Sequence, residues 1–288
     1  MGHGKLIKFA ENETFRCLVQ PDPAQLLARK TNPHGPLVLQ DHPLKGHWNE
    51  RMFAKPRPVV VELGCGKGEY TIDLSRRNPD FNYIGVDIKG ARLWKGAKEA
   101  ETAALPNVAF LRTRVEFLEA LFAPEEVSEI WLTFSDPQMK SPNSRLTSPV
   151  FLERYRKFLR PGGIIHLKTD SRFLHEYSKA VALQNGLTVL ACTEDLYGEG
   201  RSSVLDSPLA SVTGRSAVEA LFEVRTFYEK MFMAQGYKIT YLCFTLDNES
   251  PVRAPEFDEK YWRSVEGPRV FRPILTDQAR YLMMEPTE

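Results

Sequence analysis

Val59, Val60 and Val61 run into Glu62, and beyond Leu63 stand three glycines at alternate positions, Gly64, Gly66 and Gly68. An apolar strand that ends in an acid and turns on such glycines is suited to a nucleotide-like ligand. A residue without Cβ takes positive φ and lets the backbone approach the ligand closely. The spacing narrows the choice. A dinucleotide fingerprint needs its third glycine where Glu69 stands, and a P-loop needs Ser or Thr where Lys67 is followed by Gly68. A tight strand-to-helix turn without a ligand is the plainer alternative. A second acid, Asp87, closes the apolar run that starts at Phe81. It lies about 20 residues beyond the loop, where one carboxylate can grip both hydroxyls of a ribose. An Asp after a strand also serves as a helix cap.

Further polar residues stand where later strands should end. Asp136 follows Trp131-Leu132-Thr133-Phe134-Ser135 and precedes Pro137, which cannot continue a ladder. Asp170 follows Leu167-Lys168-Thr169 in the same way, and Thr226 and Glu229 have capping-box spacing at the start of a late helix. In open α/β sheets ligands sit at the carboxyl ends of strands, so these residues are candidates by position. Each also has a structural reading as a turn acid or cap.

The elements that must position them alternate from Pro58 onward. Strands are expected near 58–63, 82–87, 108–112, 129–134, 163–168, 187–192 and 239–246, with helices between, which predicts an α/β fold with a seven-stranded, mostly parallel sheet and helices on both faces. Tyr70 to Arg77 reads as a helix stopped at Asn78-Pro79-Asp80, and Ala91 to Ala100 as the next. A helix over about 149–159 buries Phe151, Leu152, Tyr155, Phe158 and Leu159, leaves Arg154, Arg156, Lys157 and Arg160 outside, and ends at Pro161-Gly162-Gly163. His166 in the following strand reads as a core or hydrogen-bonded residue. Residues 195–217, with Gly198, Gly200, several serines and Pro208, read as a long loop insertion.

Residues 1–57 form an N-terminal extension, basic from Lys5 and Lys8 through Arg29 and Lys30 to Lys55 and Arg57, with a short helix expected to pack Trp48 and Phe53 on the first strand. Residues 247–288 form a C-terminal tail, in which Phe257, Tyr261, Trp262 and Phe271 predict partial docking. Four cysteines without any Cys-x-x-Cys pair argue against a zinc site or a disulfide scaffold and for a reducing cytoplasm. Neither a secretory leader nor a membrane-spanning apolar run is expected. A net charge of +1 decides nothing about nucleic acid, so such a partner must be argued from local clusters.

Glu62 with its glycines resembles the cofactor loop of Rossmann-like class I methyltransferases that use S-adenosyl-L-methionine (AdoMet). With Asp87, Ser135-Asp136-Pro137, Lys140, Thr169-Asp170 and Thr226-x-x-Glu229 in that order, the chain resembles the bacterial tRNA (guanine-N7-)-methyltransferase family over about residues 58–194 and 222–246. The resemblance implies a cytoplasmic monomer or homodimer that moves a methyl group from AdoMet, without a metal, to N7 of a variable-loop guanosine in tRNA. By the same resemblance Glu62, Asp87 and Asp136 contact AdoMet alongside Gly64, Gly66 and Gly68, and Asp136 is also catalytic. Lys140, Asp170, Thr226 and Glu229 match substrate contacts. Two places depart from the pattern. The family usually reads Asp-Pro-Trp-Pro-Lys followed by a dense basic run, whereas here Gln138 and Met139 precede Lys140, and only Lys140 and Arg145 are basic, both expected on phosphates. Beside the adenine, Arg114-Val115 replaces the usual Asn or Asp with Ala. Other readings on the same fold are an AdoMet enzyme for a protein or small molecule, and a non-catalytic RNA-binding factor. An oxidoreductase using NAD has the misplaced glycine against it.

Overall fold

Val59–Leu63 is buried along its whole length, as expected of a central strand covered on both faces. The computed structural model describes residues 3–28, 38–213 and 215–267 of the 288. Arg29, Lys30 and Phe271 lie outside the described residues. The strands are β1 (Leu18–Val19), β2 (Val59–Leu63), β3 (Asn82–Asp87), β4 (Val108–Arg112), β5 (Val127–Thr133), β6 (Leu159–Thr169), β7 (Val189–Thr193) and β8 (Thr240–Thr245). They form one sheet in the order β1-β4-β3-β2-β5-β6-β8-β7. Pairing is parallel from β1 through β6, and β8 runs antiparallel to both β6 and β7.

The sheet therefore has eight strands among the described residues, not the expected seven. The additional one, β1, comes from the N-terminal extension and pairs Leu18 with Phe110 and Val19 with Leu111. It follows the helix His3–Asn12, which lies on the helix Gly90–Thr102, where the Asn12 amide donates to Gly90 O at 2.9 Å and the Trp94 indole to Glu11 at 2.6 Å. The short helix Trp48–Met52 buries Trp48 completely. Its indole donates to Leu121 O at 2.8 Å and stacks on Phe122 at 5.3 Å. The residue thus packs mainly on the Leu121-Phe122 turn, within the same core as Val59 and Phe53.

Alternate residues of the central strands feed two cores. Val59, Val61 and Leu63 join one with Ile84, Leu132 and Leu167, while Val60 joins another with Tyr70, Trp131 and Tyr241. His166 lies in the second layer as expected, stacked on Trp131 at 3.9 Å and bonded to the Tyr241 hydroxyl at 2.7 Å and to Glu129 at 3.2 Å. Two expectations are revised. The helix before β6 stops at Tyr155, and Leu159 already pairs with Val127, so Pro161, Gly162 (φ 65°) and Gly163 form a bulge inside β6 in place of a helix terminus. Residues 195–217 are largely helical, in Gly200–Leu205, Pro208–Thr213 and Arg215–Glu223. Leu196, Val204, Leu209, Val218 and Leu221 are buried in the second core, and that burial holds these short helices in place.

Candidate active site

The carboxyl ends of β2, β3, β5 and β6 bring the candidate residues to one edge of the sheet. At the end of β2 the chain turns through Gly64, Gly66 and Gly68, with φ of 76°, 59° and 73°. The amides of Gly64 and Cys65 donate to Val86 O at 2.8 and 3.0 Å, and the Gly66 amide donates to Asp87 Oδ2 at 3.0 Å. The other Asp87 oxygen accepts from the Lys89 amide at 2.7 Å. Asp87 thus fastens the loop to the end of β3, and it does not cap the next helix, whose N-cap is Lys89.

The three glycines differ in what a Cβ would meet. At Gly64 and Gly66 it would enter open space, so these residues edge a cradle at the carboxyl end of β2. At Gly68 it would stand 2.5 Å from the Phe110 ring, and at Gly85 and Gly96 it would stand 2.8 and 2.6 Å from the same ring. Phe110 therefore nests among three residues without side chains. Gly68, expected at the cofactor, also lets the helix Glu69–Arg77 pack down onto β4.

Glu62 is buried beneath the loop, and its two carboxylate oxygens accept the hydroxyls of Thr71 and Thr133, each at 2.5 Å. Burial pushes its pKa up to about 7, against the two hydroxyl donors that favour the charged form. A buried carboxylate held this way favours a cationic group beside it.

Thr133 ends β5 and leads directly to the Asp136 loop. Phe134 and Gln138 both take left-handed conformations without being glycine, with φ of 52° and 47°. Such backbone persists only where the surroundings fix it, and it clusters at functional sites. Between them Asp136 is exposed, and its Oδ1 accepts the Gln138 amide at 2.9 Å. Lys140 is exposed, whereas Arg145 is fully buried, so the latter is removed from the phosphate contacts expected of it. Arg114 is exposed beyond the end of β4, and its guanidinium lies 3.3 Å from Glu116.

Asp170 is buried at the end of β6. Thr226 and Glu229 form a capping box on the helix Phe227–Ala234. Glu229 is fully buried and faces inward, which revises its expected place at the substrate. Its carboxylate lies 2.8 Å from Lys168 Nζ and also accepts the Tyr197 hydroxyl. Lys168 further donates to the carbonyls of Leu221 and Val224 at 2.9 and 3.1 Å, and burial pulls its pKa down to about 8 against the attraction of Glu229. Sequence reading did not single out Lys168; the available signal was a charge at the end of the apolar run Ile164 to Leu167. The helix Phe227–Ala234 spans two loops, since Phe232 packs on Phe134 at 6.4 Å and the Phe227 amide donates to Glu69 at 3.0 Å.

A parallel sheet with β8 reversed between β6 and β7, a glycine cradle after β2 and an acid ending β3 define a class I methyltransferase. Residues 56–209 match the model of a family described as putative methyltransferase. The chain is 44% identical over 258 residues to the tRNA (guanine-N(7)-)-methyltransferase of Bacteroides fragilis (strain YCH46), covering 90% of this chain and 92% of that one. It is 46% identical over 217 residues to the enzyme of the same name from Porphyromonas gingivalis (strain ATCC BAA-308 / W83), covering 75% and 83%. The chain belongs to the tRNA (guanine-N(7)-)-methyltransferase family. A solved SAM dependent methyltransferase from Aquifex aeolicus superposes with a TM-score of 0.43 at 12% identity, covering 66% of this chain and 82% of that one.

Proposed function

We propose that this chain transfers the methyl group of AdoMet to N7 of a variable-loop guanosine in tRNA, in the cytoplasm, through a methyltransferase domain spanning residues 58–246. The observation that carries the reading is the continuity of the site. Glu62 is bonded through Thr133 to the strand that delivers Asp136, and Asp136 stands between two left-handed residues. Membership in the family supports tRNA as the substrate.

The residues present fit AdoMet. Gly64 and Gly66 leave open space where side chains would stand, and a buried carboxylate lies below them. Both oxygens of Asp87 hold backbone amides, yet each carboxylate oxygen keeps a second lone pair for a ribose hydroxyl. Arg114 borders the adenine side. When bound, AdoMet supplies an electrophilic methyl on a cationic sulfur.

The chain's own task is positioning. N7 of guanine carries a free lone pair, so attack needs no prior deprotonation and no strong base. Aligning the reacting atoms lowers the barrier by several kcal/mol, up to about 7 to 11 in the best cases. Asp136 orients the base and stabilises the positive charge that develops on it. Lys140 meets phosphate, and Asp170 and Thr226 border the guanosine.

The test is to incubate the protein with methyl-labelled AdoMet and tRNA lacking the modification, then digest and identify the nucleoside. N7-methylguanosine is expected. Its absence under conditions where AdoMet binds overturns the reading. With Arg145 buried, little basic surface remains on the Asp136 loop, so label in a protein or small molecule is the outcome that favours the second reading.

A further inference from the structure

We propose that the C-terminal tail clamps the loop carrying Asp136, and that Arg145 is the positioning residue through which it does so. The helix Glu259–Glu266 and Phe257 ahead of it lie against the helix Arg172–Gln184. Arg145 sits between them and the loop. Its guanidinium carbon is 4.7 Å from the Phe173 ring centre and 4.3 Å from that of Tyr177. Phe257 meets the same two rings edge-on at 5.5 and 5.4 Å, so a tail residue backs the two aromatic rings that face the charge.

The polar contacts point at the strained part of the loop. Arg145 Nε donates to Pro137 O at 3.3 Å, and Arg263 of the tail donates to Met139 O. These are the two carbonyls on either side of Gln138, the left-handed residue whose amide holds the Asp136 carboxylate. Glu259 joins the two arginines, pairing with Arg145 at 3.0 Å and with Arg263. At the far end of the tail helix, Glu266 accepts the Phe173 amide at 3.0 Å.

A left-handed non-glycine residue needs external support, and here one arginine from the core and one from the tail supply it. Burying a guanidinium is costly and adds little net stability even when paired, so the arrangement is better suited to fixing a conformation than to holding the fold together.

The consequence for catalysis rests on the proposed role of Asp136, whereas the clamp itself does not. Both are tested in the full chain with Glu259→Gln and Arg263→Met combined, two changes outside the sheet and its cores. Hydrogen exchange of the amides over residues 138–141 should quicken by about tenfold or more while β2 and β3 stay unchanged. The kcat for tRNA should fall by about tenfold with the AdoMet dissociation constant held, whereas a merely structural lesion would move both. Tm falls as well, because Glu259→Gln leaves the buried Arg145 without its counter-charge. Arg263→Met alone, which keeps that pair, should quicken exchange with Tm held. Unchanged exchange refutes the clamp. Faster exchange with undiminished kcat refutes the positioning role. If the parent protein methylates no tRNA, exchange still decides the clamp, and the failure belongs to the functional reading.

Discussion

Lys168 Nζ lies 2.8 Å from Glu229 Oε1, with neither side chain exposed to solvent. The pair joins β6 to the helix that starts at Thr226, and through Leu221 and Val224 it also ties down the helices of residues 200–223. Lys168→Met leaves Glu229 buried without its counter-charge, a loss of about 3 to 5 kcal/mol. Adding Glu229→Gln should recover part of it. Denaturant unfolding of the two single variants and the double variant measures the coupling.

Glu62 predicts a pH dependence with a definite sign. Its carboxyl ordinarily titrates near 4.5 and in the folded protein near 7. The folded state therefore keeps a proton that the unfolded chain has released, and this group's contribution to stability falls as pH rises from about 4.5 to about 7. A cationic ligand favours the carboxylate, so binding below pH 7 must expel that proton. AdoMet affinity should weaken by about tenfold per pH unit as pH falls below 7, while S-adenosylhomocysteine, lacking the sulfonium charge, should respond less. In Glu62→Gln the Tm at neutral to alkaline pH should hold or rise while AdoMet binding falls and loses its pH slope. Calorimetric titration across the window checks both.

Replacing single glycines separates cradle from packing. Gly66→Ala costs roughly 1 to 2 kcal/mol for its left-handed backbone and places a methyl in the cradle, so loss of AdoMet binding should exceed loss of stability. Gly68→Ala bears the same backbone strain and drives a methyl to within 2.5 Å of Phe110, so it should destabilise by about 1 to 3 kcal/mol more. Paired thermal melts and ligand titrations distinguish the two.

Asp136→Asn removes a charge from an exposed side chain whose hydrogen bond is local. Stability should stay within about 0.5 kcal/mol of the parent. Methyl transfer to tRNA should fall by about 10² to 10³, the usual effect of removing one group that stabilises transition-state charge. Single-turnover assays with AdoMet saturating measure that loss directly.

What sequence alone conveyed followed from how local each signal is. The glycine loop and Asp87 announce themselves because backbone geometry and strand spacing dictate residue type there. Gly68 shares the loop's pattern, but the partner that explains it, Phe110, is supplied by another strand. Residues 195–217 looked like a loop because glycine, serine and proline interrupt them. Their helices are held by burial of Val204, Leu209 and Val218 in a core that also draws residues from β2, β5 and β8. The strand β1 is two residues long, too short to show a period. Arg145 looked like a phosphate contact because its acidic partner, Glu259, is 114 residues away in sequence.

The reversed strand β8 constrains the order in which the protein is assembled during synthesis. β7 touches the rest of the sheet only through β8, which is made some fifty residues later. Until residue 245 has left the ribosome, β7 and the helices Gly200–Leu205 and Pro208–Thr213 that pack on it have no strand to join them to β6. A nascent chain arrested before that point can pair β2 to β5 and shape its glycine loop, yet β7 is still detached from the sheet. The part of the sheet that bears the glycine loop is therefore complete before the part that carries β7.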